Sequence, residues 1–123
     1  MLTVGVDIVE IARIEEAIER WGDRFLKRIY TEKELAFCRG RAPELAARFA
    51  GKEATMKAMG TGIRGVGWRD IEILPRRGGK PLVHLHSRGL ARAQRMETGE
   101  FAISLTHSAE FAIAVVAAEA VTP

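Results

Sequence analysis

Apolar and polar residues alternate along residues 2–9, which read LTVGVDIV. Every second residue from Leu2 to Ile8 is aliphatic, and Asp7 lies on the opposite side together with Gly5. A period of two predicts a β-strand whose two faces have different surroundings. Because glycine has no side chain, its position beside Asp7 leaves room for another group to approach this face.

The hydrophobic period changes after Glu10 from two to the spacing of a helix. Ile11, Ile14, Ile18 and Trp21 recur every three or four residues, so a helix is predicted to follow the strand directly. If this helix extends far enough, its opposite side carries basic residues that form one face, interrupted by a single acid. They are Arg13, Arg20, Arg24 and Lys27, with Glu16 among them.

Capping signals predict two further helices. Thr31 and Glu34 have the spacing of a capping box, which begins a short helix that ends near Arg39. Pro43 suits the first turn of a longer helix, and the glycines in residues 60–62 end it.

The remaining chain is predicted to contain mainly strands and turns. Alternating residues predict strands over 68–74, 81–86, 101–106 and 111–119, and Ser87 is predicted to cap a helix that runs to about Met96. Helices mixed with antiparallel strands indicate an α+β fold, an antiparallel sheet packed by helices. A length of 123 residues is that of one domain, so residues 1–123 are predicted to form a single compact domain.

Composition places this chain among ordinary soluble proteins, with 47% hydrophobic and 28% charged residues. No apolar run approaches the roughly 20 residues that a membrane span requires, so no membrane association is expected. The first residues lack the pattern of a signal peptide, and the single Cys38 cannot form an intramolecular disulfide. These features predict a cytoplasmic protein.

The charge indicates the kind of partner but does not identify it. A formal net charge of +3 suits an acidic protein, a polyphosphate coenzyme or a nucleic acid. The alternative function is therefore a small basic nucleic-acid-binding module. Such a module uses exposed aromatic residues for base stacking, whereas Trp21, Phe101 and Phe111 occupy apolar registers here.

The long predicted helix carries the first candidate chemistry. Glu53 and Lys57 are one turn apart and share a face, with Phe49 one turn earlier. One interpretation is a surface ion pair. The other is a site in which the carboxylate binds Mg²⁺ and the lysine neutralises a phosphate. The small residues around the pair favour a closely packed helix, and Asp7 is a possible further metal ligand.

Two other segments carry candidate phosphate contacts. Ser104 and Thr106 share one face of a strand that ends at His107, and hydroxyl and imidazole groups can donate to phosphate. A histidine in a turn is often unremarkable, however, and no acid is placed to form a Ser-His catalytic pair. Lys80 and Pro81 follow a glycine-containing turn that lacks the P-loop pattern. The histidines and Cys38 have no zinc-site spacing.

Together, these segments resemble one family across nearly the whole chain and in the same order. The matching segments are residues 5–11 with Arg13-Ile14, residues 48–54 with Lys57-Ala58, residues 60–63, residues 70–73, residues 79–81 and residues 104–107. This pattern is similar to that of the holo-acyl-carrier-protein synthases, the small bacterial type of phosphopantetheinyl transferase. Thr106 stands where the family often has serine, and residues 87–100 match poorly.

The resemblance implies a reaction and roles for individual residues. The family transfers 4′-phosphopantetheine from coenzyme A to a serine of apo-acyl-carrier protein, in support of fatty acid synthesis. Asp7 and Glu53 would hold Mg²⁺ and, with Lys57, form the catalytic group; the residues do not identify the acceptor of the serine proton. The coenzyme site would be lined by Arg48, Lys57, Gly60, Gly62, Lys80, Pro81, Ser104, Thr106 and His107.

The resemblance also implies partners. The acidic carrier protein would dock on the first helix at Arg13, Arg20 and Arg24. The family is a homotrimer with sites between subunits, and residues 111–119 are apolar on both faces, which fits such an assembly. A non-catalytic scaffold of the same fold is the second alternative, but it should have lost Asp7, Glu53 or Lys57.

Overall fold

The computed structural model describes residues 1–121. Its strands are β1 (Leu2–Glu10), β2 (Ile71–Pro75), β3 (Pro81–Leu85), β4 (Ala102–His107) and β5 (Phe111–Glu119). Its helices are α1 (Ile11–Trp21), α2 (Asp23–Ile29), α3 (Glu32–Cys38), α4 (Ala42–Met59) and α5 (Ser87–Met96). The predicted α+β class is confirmed. No helix within residues 1–121 has the length and hydropathy needed to cross a membrane.

The strands form two antiparallel sheets. The larger sheet has the order β1-β5-β4, so β1 and β4 occupy opposite edges with β5 between them. In its register Val6 lies beside Val115, which in turn lies beside Ser104 on β4. The smaller sheet pairs β2 with β3 through the predicted glycine turn.

Helix α4 covers one face of the larger sheet. The inward residues of β5 are small or aliphatic and fully buried, as at Ala114 and Val116. Gly5 is what allows β1 to approach the helix, because a Cβ atom there would overlap the carbonyl oxygen of Ala54. This close approach places Asp7, on the same side of β1 as Gly5, beside α4.

The outer face of the same sheet is apolar and exposed. The alternating aliphatic residues of β1 lie on this face, and each of them is more than half exposed. On β5, Phe111 and Val115 are also exposed on this side. An apolar surface of this kind in a small protein marks an interaction site.

A buried ion pair fixes α4 against the rest of the fold. The Nζ atom of Lys52 lies 2.7 Å from Glu34 Oε1, and both side chains are fully buried. Lys52 also donates to the carbonyl oxygens of Trp68 and Ile71, while the second carboxylate oxygen of Glu34 accepts from the backbone N–H of Ile73. Burial lowers the pKa of Lys52, and Glu34 opposes that shift. Because the charges are paired and hydrogen-bonded, their burial is tolerated.

Most helix boundaries follow the predicted signals. Thr31 and Glu34 form the predicted capping box of α3. Pro43 lies in the first turn of α4, and Gly60 ends that helix in the left-handed conformation at φ 67°, which glycine adopts without a steric cost.

Several sequence predictions about local structure are wrong. The basic residues do not lie on one helix, because Gly22 at φ 56° separates α1 from α2 and places Arg24 on the second helix. Trp21 is exposed at the end of α1 and does not belong to a buried stripe. Residues 68–70 form a 3₁₀ turn, since the Asp70 carboxylate accepts from the Gly67 backbone N–H.

The start of α5 and the bounds of β4 also differ from the prediction. His86, not Ser87, is the N-cap of α5, and its backbone N–H is bound by the carbonyl oxygen of Asp70. Ser87 is the first helical residue at a positive φ of 47°. The strand predicted over 101–106 is β4, which is shifted by one residue and ends at His107.

Glu72 on β2 ties three elements together. Its carboxylate accepts from the Thr31 hydroxyl at the start of α3 and lies 3.1 Å from Nε2 of His86, and the side chain is only 9% exposed. Burial raises the pKa of Glu72, but the hydrogen bonds from Thr31 and His86 outweigh burial, so that the pKa is lowered overall.

We therefore expect Glu72→Gln to destabilise the fold in a pH-dependent way. At neutral pH the free energy of unfolding should fall by about 1.5–3 kcal/mol, the size of a hydrogen bond to a charged group. The stabilisation that a lowered carboxyl pKa provides is present above the ordinary pKa and is lost as the pH falls through the lowered value. Urea titrations at a series of pH values measure this difference.

Glu100→Gln is the matched control for this substitution. Glu100 pairs with Arg76 at 3.3 Å, but both side chains are mostly exposed, so its loss should change stability little at any pH. A Glu72→Gln deficit that stayed constant from neutral to strongly acidic pH would contradict the assigned pKa direction.

Candidate active site

Asp7, Glu53 and Lys57 converge where β1 meets α4. Lys57 Nζ lies 3.1 Å from Asp7 Oδ1 and donates to the carbonyl oxygen of Val6 at 3.0 Å. Glu53 lies one turn earlier on the same helix. The lysine therefore pairs across the β1–α4 junction with Asp7, an arrangement different from a surface ion pair with Glu53.

The electrostatics of this group follow from its partial burial. Desolvation raises the pKa of Glu53, the Asp7 charge raises it further, and Lys57 opposes both. The Asp7 side chain is 17% exposed while that of Lys57 is 54% exposed. Two carboxylates that repel each other beside a reachable lysine form a site that a cation would stabilise.

The donor set fits Mg²⁺ when phosphate is also present. Within residues 1–121 no group of three acidic, histidine or cysteine side chains could enclose a metal ion. Mg²⁺ is usually held by one or two carboxylates, with waters and substrate phosphates completing its coordination. Asp7 and Glu53 could supply those two carboxylates, and Lys57 could supply a charge for the phosphate.

Several of the predicted coenzyme residues line a cleft between α4, β3 and β4, which we call the His107 cleft. It has a volume of about 310 Å³, and Arg48, Pro81, Thr106 and His107 are among its lining residues. The buried guanidinium of Arg48 is held by Glu44 at 2.8 Å and lies over the Phe37 ring at 4.5 Å. Its cationic edge therefore has a fixed position in the cleft.

Lys80 and Ser104 line a neighbouring groove, which we call the β4 groove. It has a volume of about 500 Å³ on the outer side of the larger sheet and also contains Val115. Pro81 lines both the His107 cleft and the β4 groove, so the two are adjacent. Gly60 and Gly62 lie elsewhere, in the exposed loop that follows Lys57 at the end of α4.

The structure does not bring all predicted site residues of one chain together. Asp7 is on edge strand β1, on the face that α4 covers. Ser104 and Thr106 are on the opposite edge strand, β4, and face outward. Since β5 separates these strands, the Asp7 group and the β4 groove lie at different edges and faces of one sheet.

Of the predicted partner residues, Arg24 lines a basic and aromatic cleft beside α2, which we call the α2 cleft. Arg13 and Arg20 are exposed on α1, and Arg24 is exposed on α2. The α2 cleft has a volume of about 580 Å³ and is lined by Trp21, Arg24, Phe25, Arg28, Ile29 and Trp68. Such a combination of arginines with aromatic rings suits an acidic partner that also presents an apolar side chain.

Sequence reasoning missed the residues that support these sites. Phe37 and Glu44 hold Arg48, but they belong to segments that carry no motif of their own. Trp68 stacks on Phe49 with ring centroids 5.0 Å apart, which connects the wall of the α2 cleft to α4. Arg28 also lines the α2 cleft, and its position one turn after Arg24 could have identified it as a candidate partner residue from the sequence.

Comparisons with known proteins agree on one family. The 4′-phosphopantetheinyl transferase superfamily model matches residues 3–116. The holo-[acyl-carrier-protein] synthase of Herpetosiphon aurantiacus is 46% identical over 123 residues, which cover 94% of this chain and 97% of that protein. That of Moorella thermoacetica is 45% identical over 122 residues and covers 97% and 94%.

A solved structure gives the same answer. The Helicobacter pylori holo-[acyl-carrier-protein] synthase in complex with coenzyme A has a TM-score of 0.87 and 34% identity, covering 94% of this chain and 99% of that one. The chain belongs to the 4′-phosphopantetheinyl transferase superfamily, among the holo-[acyl-carrier-protein] synthases.

Proposed function

We propose that Asp7, Glu53 and Lys57 form the catalytic group with which this enzyme transfers 4′-phosphopantetheine from coenzyme A to a serine of apo-acyl-carrier protein. The observation that carries this proposal is their convergence at the β1–α4 junction, where Lys57 contacts Asp7 and the Asp7 charge raises the pKa of Glu53. A scaffold protein would have no need for two repelling carboxylates beside an exposed lysine.

The residues fit the chemistry of the transfer. The serine hydroxyl gives up its proton to the surrounding solvent and its oxygen forms a bond to the phosphorus that bears the pantetheine arm. The phosphoanhydride bond between that phosphorus and the bridging oxygen breaks, and adenosine 3′,5′-bisphosphate leaves. Asp7 and Glu53 would hold Mg²⁺, which neutralises pyrophosphate charge when bound. The Lys57 side chain is more than half exposed, so its ammonium group would be accessible to the departing phosphate. Phosphoryl transfer depends mainly on such positioning and charge neutralisation.

The coenzyme would lie along the His107 cleft and the β4 groove. Arg48 and His107 offer donors for phosphate in the cleft, and Lys80, Pro81 and Ser104 extend the surface into the groove. The coenzyme A complex of the Helicobacter pylori relative supports a coenzyme site in this fold. The loop with Gly60 and Gly62 follows Lys57 and would contact the coenzyme from the other side.

The separation of these two groups supports a homotrimer with sites between subunits. The Asp7 group lies at one edge of the sheet and the β4 groove at the other, so a neighbouring copy can join them where one chain cannot. The exposed apolar face of β1 and β5 is the surface that would be covered. A three-fold ring of head-to-tail contacts pairs unlike edges in this way.

Transfer itself is tested by mass spectrometry. Incubation of an apo-carrier protein with the chain, coenzyme A and Mg²⁺ should add the mass of one phosphopantetheine, and a carrier whose serine is replaced by alanine should stay unmodified. Omission of Mg²⁺ with added chelator should stop the reaction. Persistent transfer under chelation would remove the metal assignment.

The predicted cytoplasmic location remains a prediction from the sequence.

Acidic acyl-carrier protein would dock on α1 and at the α2 cleft. The exposed Arg13, Arg20 and Arg24 supply positive charge, and the aromatic residues of the α2 cleft supply an apolar anchor. Electrostatic complementarity of this kind raises the association rate and is screened by salt.

We expect Arg13→Ala to raise the KM for carrier protein up to roughly tenfold, the effect of about 1.4 kcal/mol of lost attraction. The KM for coenzyme A should not change, because Arg13 lies outside the residues that line the His107 cleft and the β4 groove. Steady-state kinetics with each substrate varied in turn measure both values. Added salt should weaken the wild type more than the variant.

Arg95→Ala is the control, since Arg95 is exposed on α5 and has no ion pair among the described residues. Its carrier KM should match that of the wild type. If Arg13→Ala instead impairs coenzyme A binding and leaves the carrier KM unchanged, Arg13 belongs to the nucleotide site.

A further inference from the structure

The loop over residues 60–67 has an exposed part that α5 contacts. Residues 62–65 are exposed, and Val66 is the buried anchor at the far end of the loop. Within the loop, Gly65 and Val66 donate their backbone N–H groups to the Gly62 carbonyl oxygen. These internal bonds define the shape of the loop but do not attach it to the rest of the fold.

The ends of the loop are attached at Thr61, which donates to the Met56 carbonyl oxygen, and at buried Val66, while two arginines of α5 contact the exposed part and the end of α4. Arg92 Nε donates to the carbonyl oxygen of Met59 at 3.0 Å, at the end of α4. Arg88 Nη1 donates to the carbonyl oxygen of Arg64 at 3.0 Å, at the tip of the loop. Because Arg88 and Arg92 are one turn apart, one face of α5 contacts both the end of α4 and the tip of the loop.

The base of this arrangement is packed closely. Arg88 Nε lies 3.6 Å from Asp70 Oδ2, and the same carboxylate oxygen accepts from the Gly67 N–H. A Cβ atom on Gly89 would lie 2.9 Å from the carbonyl oxygen of Asp70, so glycine is needed for α5 to lie this close. The position of the arginines is thus set by the fold and not by the loop.

We propose that Arg88 and Arg92 are positioning residues that hold the 60–67 loop and the end of α4 in the geometry that coenzyme A requires. This rests on the proposed function, in which the loop contacts the coenzyme. A cation at the C-terminus of α4 also interacts favourably with the helix dipole, so Arg92 stabilises the turn that carries Lys57. Neither arginine needs to touch the coenzyme for this role.

Arg88→Met and Arg92→Met test this proposal by two measurements. Hydrogen exchange at the amides of Thr61, Gly65 and Val66 should become faster in both variants, since the loop opens more often when its attachment is lost. The KM for coenzyme A should rise roughly tenfold, while the KM for carrier protein stays the same.

Arg95→Met is the matched control on the same helix, because Arg95 makes no hydrogen bond or ion pair to the loop among the described residues. It should leave both measurements unchanged. Thermal unfolding of each variant shows whether the fold survives, and if Arg92→Met does not fold, the more exposed Arg88→Met still decides.

Unchanged loop exchange in a folded variant overturns the proposal. A higher KM for coenzyme A without faster exchange also overturns it, because the arginine then contacts the coenzyme directly. Hydrogen exchange needs no activity, so this result is independent of whether the wild type transfers phosphopantetheine. Failure of the proposed function is seen separately, as absence of transfer by the wild type.

Discussion

Asp7→Asn and Glu53→Gln should each reduce transfer by at least roughly a thousandfold, which corresponds to about 4 kcal/mol of lost transition-state stabilisation. Both substitutions keep the size of the side chain and remove its charge. In the proposed site both carboxylates bind Mg²⁺ through negatively charged oxygens, and the neutral amide oxygen of Asn or Gln is a much weaker ligand because it carries no net charge. Single-turnover transfer at saturating coenzyme A and Mg²⁺ measures the loss.

The fold should survive both changes. Asp7 is partly exposed and Glu53 is repelled by it, so removal of either charge relieves repulsion at this junction. Asp7→Asn does remove the ion pair with Lys57, but that lysine is more than half exposed and the pair contributes little. Thermal unfolding should therefore shift little in either variant.

Glu32→Gln is the control, because Glu32 is an exposed carboxylate at the start of α3. Its transfer rate should equal that of the wild type. Near-normal turnover in Asp7→Asn or in Glu53→Gln, with Mg²⁺ present, would falsify the assignment of that residue to the metal.

Local signals predicted those elements whose ends are set locally. The capping box at Thr31 and Glu34 and the proline and glycine that bound α4 act through neighbours in the chain, and the structure confirms them. The break between α1 and α2 also had a local signal, since Gly22 follows the last apolar residue and Asp23 begins the next helix.

Other features depend on contacts that are distant in sequence. His86 becomes the N-cap of α5 because its N–H is bound by Asp70, far earlier in the chain. The burial of Lys52 depends on Glu34 from another helix, and a lysine within a helix predicts no such partner. The periodicity of a sequence carries no information about contacts between residues that are distant in the chain.

The alternation in β1 defined two faces but not their surroundings. The aliphatic side was the natural candidate for the core, yet α4 packs on the side of Gly5, where a missing side chain allows close approach. The sequence motifs identified the candidate site residues. That these residues lie at two different edges of one sheet could be known only from the strand order β1-β5-β4.

Because the Asp7 group and the β4 groove lie at different edges of the sheet, activity should depend on assembly. A lysine introduced on the outer face of the larger sheet should therefore abolish both assembly and transfer. Val115 lies at the centre of this face, between Val6 and Ser104, and is 43% exposed in the single chain. Val115→Lys should give a folded monomer, because burial of an unpaired ammonium in an apolar interface is strongly unfavourable. Sedimentation velocity measures the assembly and is the decisive readout, because Val115 also lines the β4 groove and a lysine there can impair coenzyme binding directly. Mass spectrometry measures the transfer.

Leu90→Lys is a matched control for exposure and side-chain change. Leu90 is 45% exposed, but it lies on α5 and not on the outer sheet face. This variant should keep the oligomeric state and the activity of the wild type. A Val115→Lys monomer that transfers phosphopantetheine at the wild-type rate would show that one chain holds a complete site.

Mixed assemblies of two variants test the proposal that the chain forms a homotrimer with sites shared between subunits. Under the proposed roles, Asp7→Asn subunits alone and His107→Ala subunits alone should both transfer slowly at low coenzyme A, because every site then lacks either the metal carboxylate or the phosphate-binding imidazole. If Asp7 and His107 reach a site from neighbouring subunits, random mixing in equal amounts restores about a quarter of the sites, since each complete site needs one subunit of each kind in the correct order. If both residues act within one chain, mixing restores none. Recovery of activity after joint refolding therefore distinguishes a composite site from a site within one chain, provided that sedimentation shows the mixed chains to be assembled.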